Sequence, residues 1–398
     1  MRFVFGFVFL TFVSLFCGCV SIPVERISEQ IEVGELSDHV EFLTNRRLKG
    51  RKAGSWESGT VRKYLVNRFQ TYGLLPWGEC DDFKQSFGMG TNIVGVLPGS
   101  ELSDEVIILS AHYDHLGKTK DGLCLGAGDN ASGVAAVLEI AEKLSQSDKP
   151  LKRTVCFALF DAEEIGMIGS MVFSLRDDYN DANVVAAVTI DMLGRKLFNV
   201  VDGSLCIAGA EKYPQLRKVT AKTATQNGVK LLPMGSDLVG PRGDHVAFAD
   251  GGRMSLFFTC GLYPDYHKPA DTADKLDYKK IQGSTKTILH TVTALANSSQ
   301  IENPHDIAAS YHDELVSLNY ILDKLNLRYQ EAGLTEKENE KILALAEATK
   351  KKLADENYSD KGRRKFVRDV LTALMPMLTL ADESLAKNEK FYLWLYVA

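Results

Sequence analysis

Five short, strongly apolar runs mark the middle of this chain, at positions 93–97, 106–110, 155–160, 185–190 and 254–259. Between and after them lie stretches with helical amphipathic spacing, at 132–144, 166–175, 212–224 and 278–296. Runs this short and this apolar read as buried strands, and their alternation with helices predicts an α/β fold. We expect a mostly parallel, mixed central sheet with helices on both faces. Ligands of such sheets bind beyond the carboxyl ends of the strands, so the residues that follow each run deserve the closest reading.

The flanks differ from this middle. Residues 37–75 read as helical, with Val61, Leu65 and Phe69 on one stripe and Gly73 as the stop. From Pro304 onward strand formers are few and three helices are expected. The third starts near Lys361, carries Phe366, Val370, Leu374 and Leu378 on one face, and is kinked at Pro376. This divides the chain into a domain over 36–300 and a helical extension over 304–398. At the other end, Arg2 precedes an apolar run to Phe16 and then Cys17-Gly18-Cys19, the pattern of an export signal over 1–19. The run is short for a bilayer span. Gly18 before Cys19 resembles a lipobox, so the expectation is an exported chain, either periplasmic and membrane-attached through a lipidated Cys19 or simply secreted.

The net charge of −6 and a pI near 5.8 argue against nucleic acid as a partner, since phosphate binders cluster Lys and Arg. Beyond the signal, Cys80, Cys124, Cys156, Cys206 and Cys260 show no metal-finger spacing. A Cys80–Cys124 pairing is left open.

The strand exits carry the chemistry. The second run delivers Ala111-His112-Tyr113-Asp114-His115, where period-2 geometry puts His112 and Asp114 on one side. Such a pair suits a metal-binding imidazole held by a carboxylate on its other nitrogen. Gly126-Ala127-Gly128-Asp129-Asn130 follows, a loop entering a helix capped by Asn130 or Ser132. After the third run, Asp161-Ala162-Glu163-Glu164 supplies two adjacent glutamates that face different ways. One can bind a metal while its neighbour faces an activated water. Asp191 ends the fourth run, and Tyr266-His267 follow the fifth.

In order and neighbourhood these motifs resemble the co-catalytic di-zinc exopeptidases, a family that includes bacterial leucyl aminopeptidases and, more distantly, glutamate carboxypeptidases. The resemblance covers roughly residues 36–297, including Gly50-Arg51, Gly73-Leu74, Gly169-Ser170 and Asp271-Thr272. It implies two zinc ions as cofactors: His112 and Asp191 on one, Glu164 and His267 on the other, Asp129 bridging, and Glu163 as general base. It further implies a hydrolase acting on the amino-terminal bond of peptides, with Tyr266 as an oxyanion donor. Two positions depart from the pattern. Gly128 replaces a second acidic residue, and Gly243-Asp244-His245 replaces Ser-Asp-His. The alternatives are a glutaminyl cyclase, which resembles these peptidases but lacks the first histidine, a carboxypeptidase using Arg195 or Arg242 as a carboxylate clamp, and a non-catalytic peptide-binding module.

Overall fold

The computed structural model describes residues 30–78, 80–249, 253–302, 307–354 and 360–381. The export signal and Cys19 lie outside the described residues. Among the described residues no helix is long and apolar enough to cross a membrane.

In chain order the main elements are α1 (Val33–Leu43), α2 (Trp56–Thr71), β1 (Leu75–Pro76), β2 (Lys84–Phe87), β3 (Gly90–Leu97), β4 (Leu102–His112) and a small hairpin of β5 (Gly117–Thr119) and β6 (Gly122–Cys124). Then follow α3 (Ser132–Ser145), β7 (Arg153–Phe160), α4 (Ile168–Ser174), β8 (Asn183–Ile190), β9 (Ser204–Ala208), α5 (Pro214–Gln226) and β10 (Lys230–Met234). The chain continues through β11 (Met254–Thr259), α6 (Tyr278–Asn297), α7 (His312–Leu327), α8 (Glu336–Leu353) and α9 (Asp360–Ala381).

Nine strands form one sheet in the order β1-β3-β7-β4-β8-β11-β9-β10, with β2 on β3, while β5 and β6 pair only with each other. Its centre, β7-β4-β8-β11, is parallel, as is β9-β10, whereas β3 meets β7 and β11 meets β9 antiparallel. Alternation along β7 shows why both faces are covered. Val155, Phe157 and Leu159 enter the core shared with α1, α3 and α6, while Cys156, Ala158 and Phe160 pack with Phe173 and Phe248 on the other side. All eight residues of β7 are consequently buried.

The parallel register brings the strand exits level. His112 pairs with Phe160, Ser110 with Thr189 and Ile190 with Phe258. The residues just past β4, β7, β8 and β11 therefore meet at one edge. A separate apolar cluster joins α7, α8 and α9 to that half of the sheet, with Leu318, Leu322, Phe366, Val370 and Leu374 packed against Cys206, Leu232 and Tyr263. The four residues expected on the third helix face, Phe366, Val370, Leu374 and Leu378, are all buried there.

Several elements differ from the sequence expectation. The helix expected over 37–75 is two helices, because Lys49, Gly50, Arg51 and Gly54 take positive φ and break it. β2, β9 and β10 escape apolar-run counting. β2 begins Lys84-Gln85-Ser86, β10 contains Pro233 beside an apolar pair, and β9 is only five residues long. The five described cysteines are buried thiols, and Cys124 donates to the His267 carbonyl at 3.6 Å, so Cys80 and Cys124 are not joined.

Candidate metal centre

His112 is the last residue of β4, and the next amide, Tyr113, donates to the Phe160 carbonyl at 2.8 Å, fixing the strand ends together. Asp191 follows β8 directly, its amide bonded to the Phe258 carbonyl at 3.0 Å. Glu163 and Glu164 follow β7 after Ala162, whose φ of +63° turns the chain back. Asp129 lies in the turn before α3, and His267 lies past β11.

These turns are fastened to one another by buried hydrogen bonds. The Asn130 side chain donates to the Ile190 carbonyl (2.9 Å) and accepts from the Met192 amide (3.0 Å) and the Gly133 amide at the start of α3 (3.1 Å). Ser132 links Gly128 to Leu193, donating to the first at 2.7 Å and accepting from the second at 2.8 Å. Asp271 accepts from the amides of Gly128 (3.0 Å) and Asp129 (3.1 Å) and from Arg195 (3.2 Å). Gly128 is required to be small here, since a Cβ would stand 2.4 Å from the Tyr263 hydroxyl. That close approach accounts for the missing acidic residue at this position.

Around Asp129 the donors sort into two groups. His112 Nε2 lies 3.2 Å from both Asp129 Oδ1 and Asp191 Oδ1. On the other side, His267 Nε2 lies 3.2 Å from Asp129 Oδ2 and 3.0 Å from Glu164 Oε2. His115, for which the sequence suggested no role, joins this second group with Nδ1 2.5 Å from Glu164 Oε1 and 3.8 Å from Asp129 Oδ2. The ligand atoms of His112, Asp129 and Asp191 lie within 4.8 Å of one another, as do those of His115, Asp129 and Glu164. Asp129 is common to both.

The electrostatics reflect crowded acid. Burial alone would lower the pKa of His112, but the charge of Glu163 and the contacts to Asp114, Asp129 and Asp191 raise it well above the ordinary value. Burial opposes ionisation of Asp129, yet His112 and His267 hold its carboxyl well below the usual range. Glu164, also opposed by burial and by Asp129, is lowered to about 2 by His267 and His115. Glu163 is pushed well above its ordinary value by burial, with His112 opposing and Asp244 and Glu164 adding to the rise. Asp244, which the sequence reading gave no role, is raised to about 7, mainly by burial.

The residues present fit a pair of divalent cations. Asp129 Oδ2, Glu164 Oε1 and His115 Nδ1 are buried without a hydrogen bond, a costly condition that a shared cation relieves. Mixed imidazole and carboxylate donors are the set that zinc takes.

Two expected roles need restating. Asp114 is not hydrogen-bonded to His112, as its Oδ1 lies 3.7 Å from Nδ1. Its oxygens accept instead from the amides of Glu163 (3.0 Å) and Glu164 (3.4 Å), so it shapes the glutamate turn. Arg195 is engaged by Asp265, Asp271 and the Tyr263 ring, which removes it as a carboxylate clamp. Tyr266 stacks on the His267 ring, with centroids 3.8 Å apart and planes 18° apart.

Glu163, Glu164, Tyr266 and His267 line one end of a cavity of about 360 Å³. The rest of its wall is dominated by apolar side chains, among them Phe257, Leu322, Val370 and Leu374 from β11, α7 and α9. Arg242 is also in the wall.

A model of peptidase family M28 matches residues 92–292, from β3 into α6. The chain is 38% identical over 109 residues to a probable zinc metalloprotease of Pyrenophora tritici-repentis, covering 26% of this chain and 24% of that protein. It is 26% identical over 210 residues to aminopeptidase YwaD of Bacillus subtilis, covering 48% of this chain and 41% of that one. Among solved structures, the Legionella pneumophila LapA aminopeptidase superposes with a TM-score of 0.58 at 20% identity, over 70% of this chain and 75% of that one. That likeness concerns the fold. The chain spans between 23% and 58% of the length of the curated relatives it matches.

Proposed function

The chain belongs to peptidase family M28, and from that premise we propose that it is an aminopeptidase that uses two zinc ions to release apolar residues from the amino ends of peptides. The observation that carries this reading is the division of the Asp129 carboxylate, Oδ1 toward His112 and Asp191, Oδ2 toward His267 and Glu164. His112, Asp191 and Asp129 would hold one ion, and Glu164, His267 and Asp129 the other. Bound zinc supplies Lewis acidity, which polarises a carbonyl and brings the pKa of water toward about 7.

The remaining work falls to the chain. Glu163 follows β7 at the mouth of the cavity, takes a proton from the attacking water and returns it to the departing amine nitrogen. Tyr266, whose pKa burial raises well above its ordinary value, stays protonated and can donate to the developing oxyanion. The amino-end direction is supported by relatives such as aminopeptidase YwaD. The presence of His112 argues against a cyclase, and a Glu163 facing the cavity argues against a module without catalysis. Arg242 in the cavity wall keeps the carboxypeptidase alternative specific enough to test.

The apolar wall supports a preference for large apolar first residues, because filling it removes apolar surface from water at about 25 cal/mol per Å². Leucyl and phenylalanyl amides are expected to be cleaved at least tenfold faster, in kcat/KM, than alanyl amide, and their N-acetyl forms not at all. Cleavage of N-acetyl dipeptides with free carboxylates would instead identify a carboxypeptidase.

A further inference from the structure

His115 is unexplained by that reading, although it is 1% exposed and stands inside the donor set. Its Nδ1 and Glu164 Oε1 are 2.5 Å apart, in ion-pair contact but without the alignment of a hydrogen bond. Nδ1 also faces Asp129 Oδ2 at 3.8 Å, so one imidazole nitrogen and two carboxylate oxygens converge on a point that a cation can occupy. Nε2 of the same ring also lacks a hydrogen bond. The ring sits edge-on to His267, with centroids 6.0 Å apart and planes at 66°. The chain also makes room for it. A Cβ on Gly126, which has φ +61°, would strike the His115 ring at 2.4 Å and the Asp129 carbonyl at 2.1 Å.

We propose that His115 is a further protein ligand, binding through Nδ1 the same ion as Glu164 and His267 and giving that site two imidazoles. The proposal rests on the reading of the centre as a two-ion site. An additional neutral nitrogen donor strengthens the site without adding charge, and it shifts selectivity toward zinc and cobalt over magnesium and manganese, which prefer oxygen. It also makes the two positions chemically unequal, one holding a single imidazole and the other a pair.

The test uses the full chain labelled with ¹⁵N-histidine and loaded with ¹¹³Cd, and counts the histidines whose ring nitrogens couple to the metal. Three coupled histidines, one through Nδ1 of His115, is the expected result. Two coupled histidines in a protein that has bound two cadmium ions overturns the proposal and leaves the proposed function standing. A wild-type protein that takes up no cadmium overturns both. In parallel, zinc titration of His115→Gln and His115→Ala, with apo-protein melting recorded, is expected to show one of two sites weakened at least tenfold and the other unchanged. Equal affinities in variant and wild type contradict the assignment.

Discussion

Replacing Glu163 by Gln is expected to leave the metal content at its wild-type value while lowering kcat by about 10² to 10⁴, the usual contribution of a general base. That corresponds to roughly 3–5 kcal/mol of barrier. The separation of the two readouts follows from position. Glu163 lines the cavity beside Glu164 and His267, but the two donor groups around Asp129 do not include it. Gln keeps the size and the backbone amide that donates to Asp114 at 3.0 Å, and removes only the basic oxygen. KM for leucyl amide is expected to change little, because the apolar wall is untouched. Metal analysis and steady-state kinetics on the same preparation check this. A variant with wild-type kcat would remove Glu163 from the chemistry.

Arg51→Ala is expected to destabilise the chain by about 3–5 kcal/mol, the cost of orphaning buried partners of a charged group. Arg51 is 0% exposed, and its guanidinium donates to four carbonyls: Leu43 (3.0 Å), Tyr113 (2.8 Å), Leu125 (2.5 Å) and Gly126 (3.0 Å). Burial lowers its pKa to about 10, still far enough above neutrality to keep the charge. Alanine removes the Arg51 donor from all four carbonyls, of which Gly126 keeps only the Ala131 amide at 3.2 Å. Tyr113 lies between His112 and Asp114, and Gly126 opens the turn that carries Asp129, so the same change loosens both halves of the centre. Urea unfolding of apo protein measures the first effect and zinc affinity the second. Arg51→Lys, with three donors and no planar fork, is expected to fall between wild type and alanine. Unchanged stability in Arg51→Ala would mean that the four carbonyls find water.

The parts of this molecule that were legible in the sequence are those whose signal is local. Apolar runs ending in His112, Asp191 or the Glu163-Glu164 pair give strand and strand exit together, and parallel register then makes the exits converge. Period-2 reasoning stopped where β4 stops, at His112. Asp114 and His115 follow the strand, so the expectation that Asp114 faces His112 gave way to its bonds with the glutamate amides. His115 had no signal of its own beyond standing in the same exit as His112. Arg51 and Asp271 were noted only within family-like stretches. Most of their partners are backbone groups, 62 to 75 residues away for three of the carbonyls that Arg51 meets and 142 to 143 for the amides that Asp271 meets, and no side-chain pattern announces such bonds. The helical character and the apolar face of α9 were readable, but not that Val370 and Leu374 on that face wall a cavity ending at Glu163. That depends on how the extension packs, which amphipathic spacing does not encode.

The central claim is that one carboxylate, Asp129, is shared between two cation sites. The most direct measurement is zinc content by mass spectrometry after chelator-stripped protein is titrated with zinc and passed through a desalting column. Two zinc ions per chain, falling to one or none in Asp129→Ala with the fold intact by circular dichroism, is the expected result. One ion per wild-type chain, or two retained in Asp129→Ala, would contradict it.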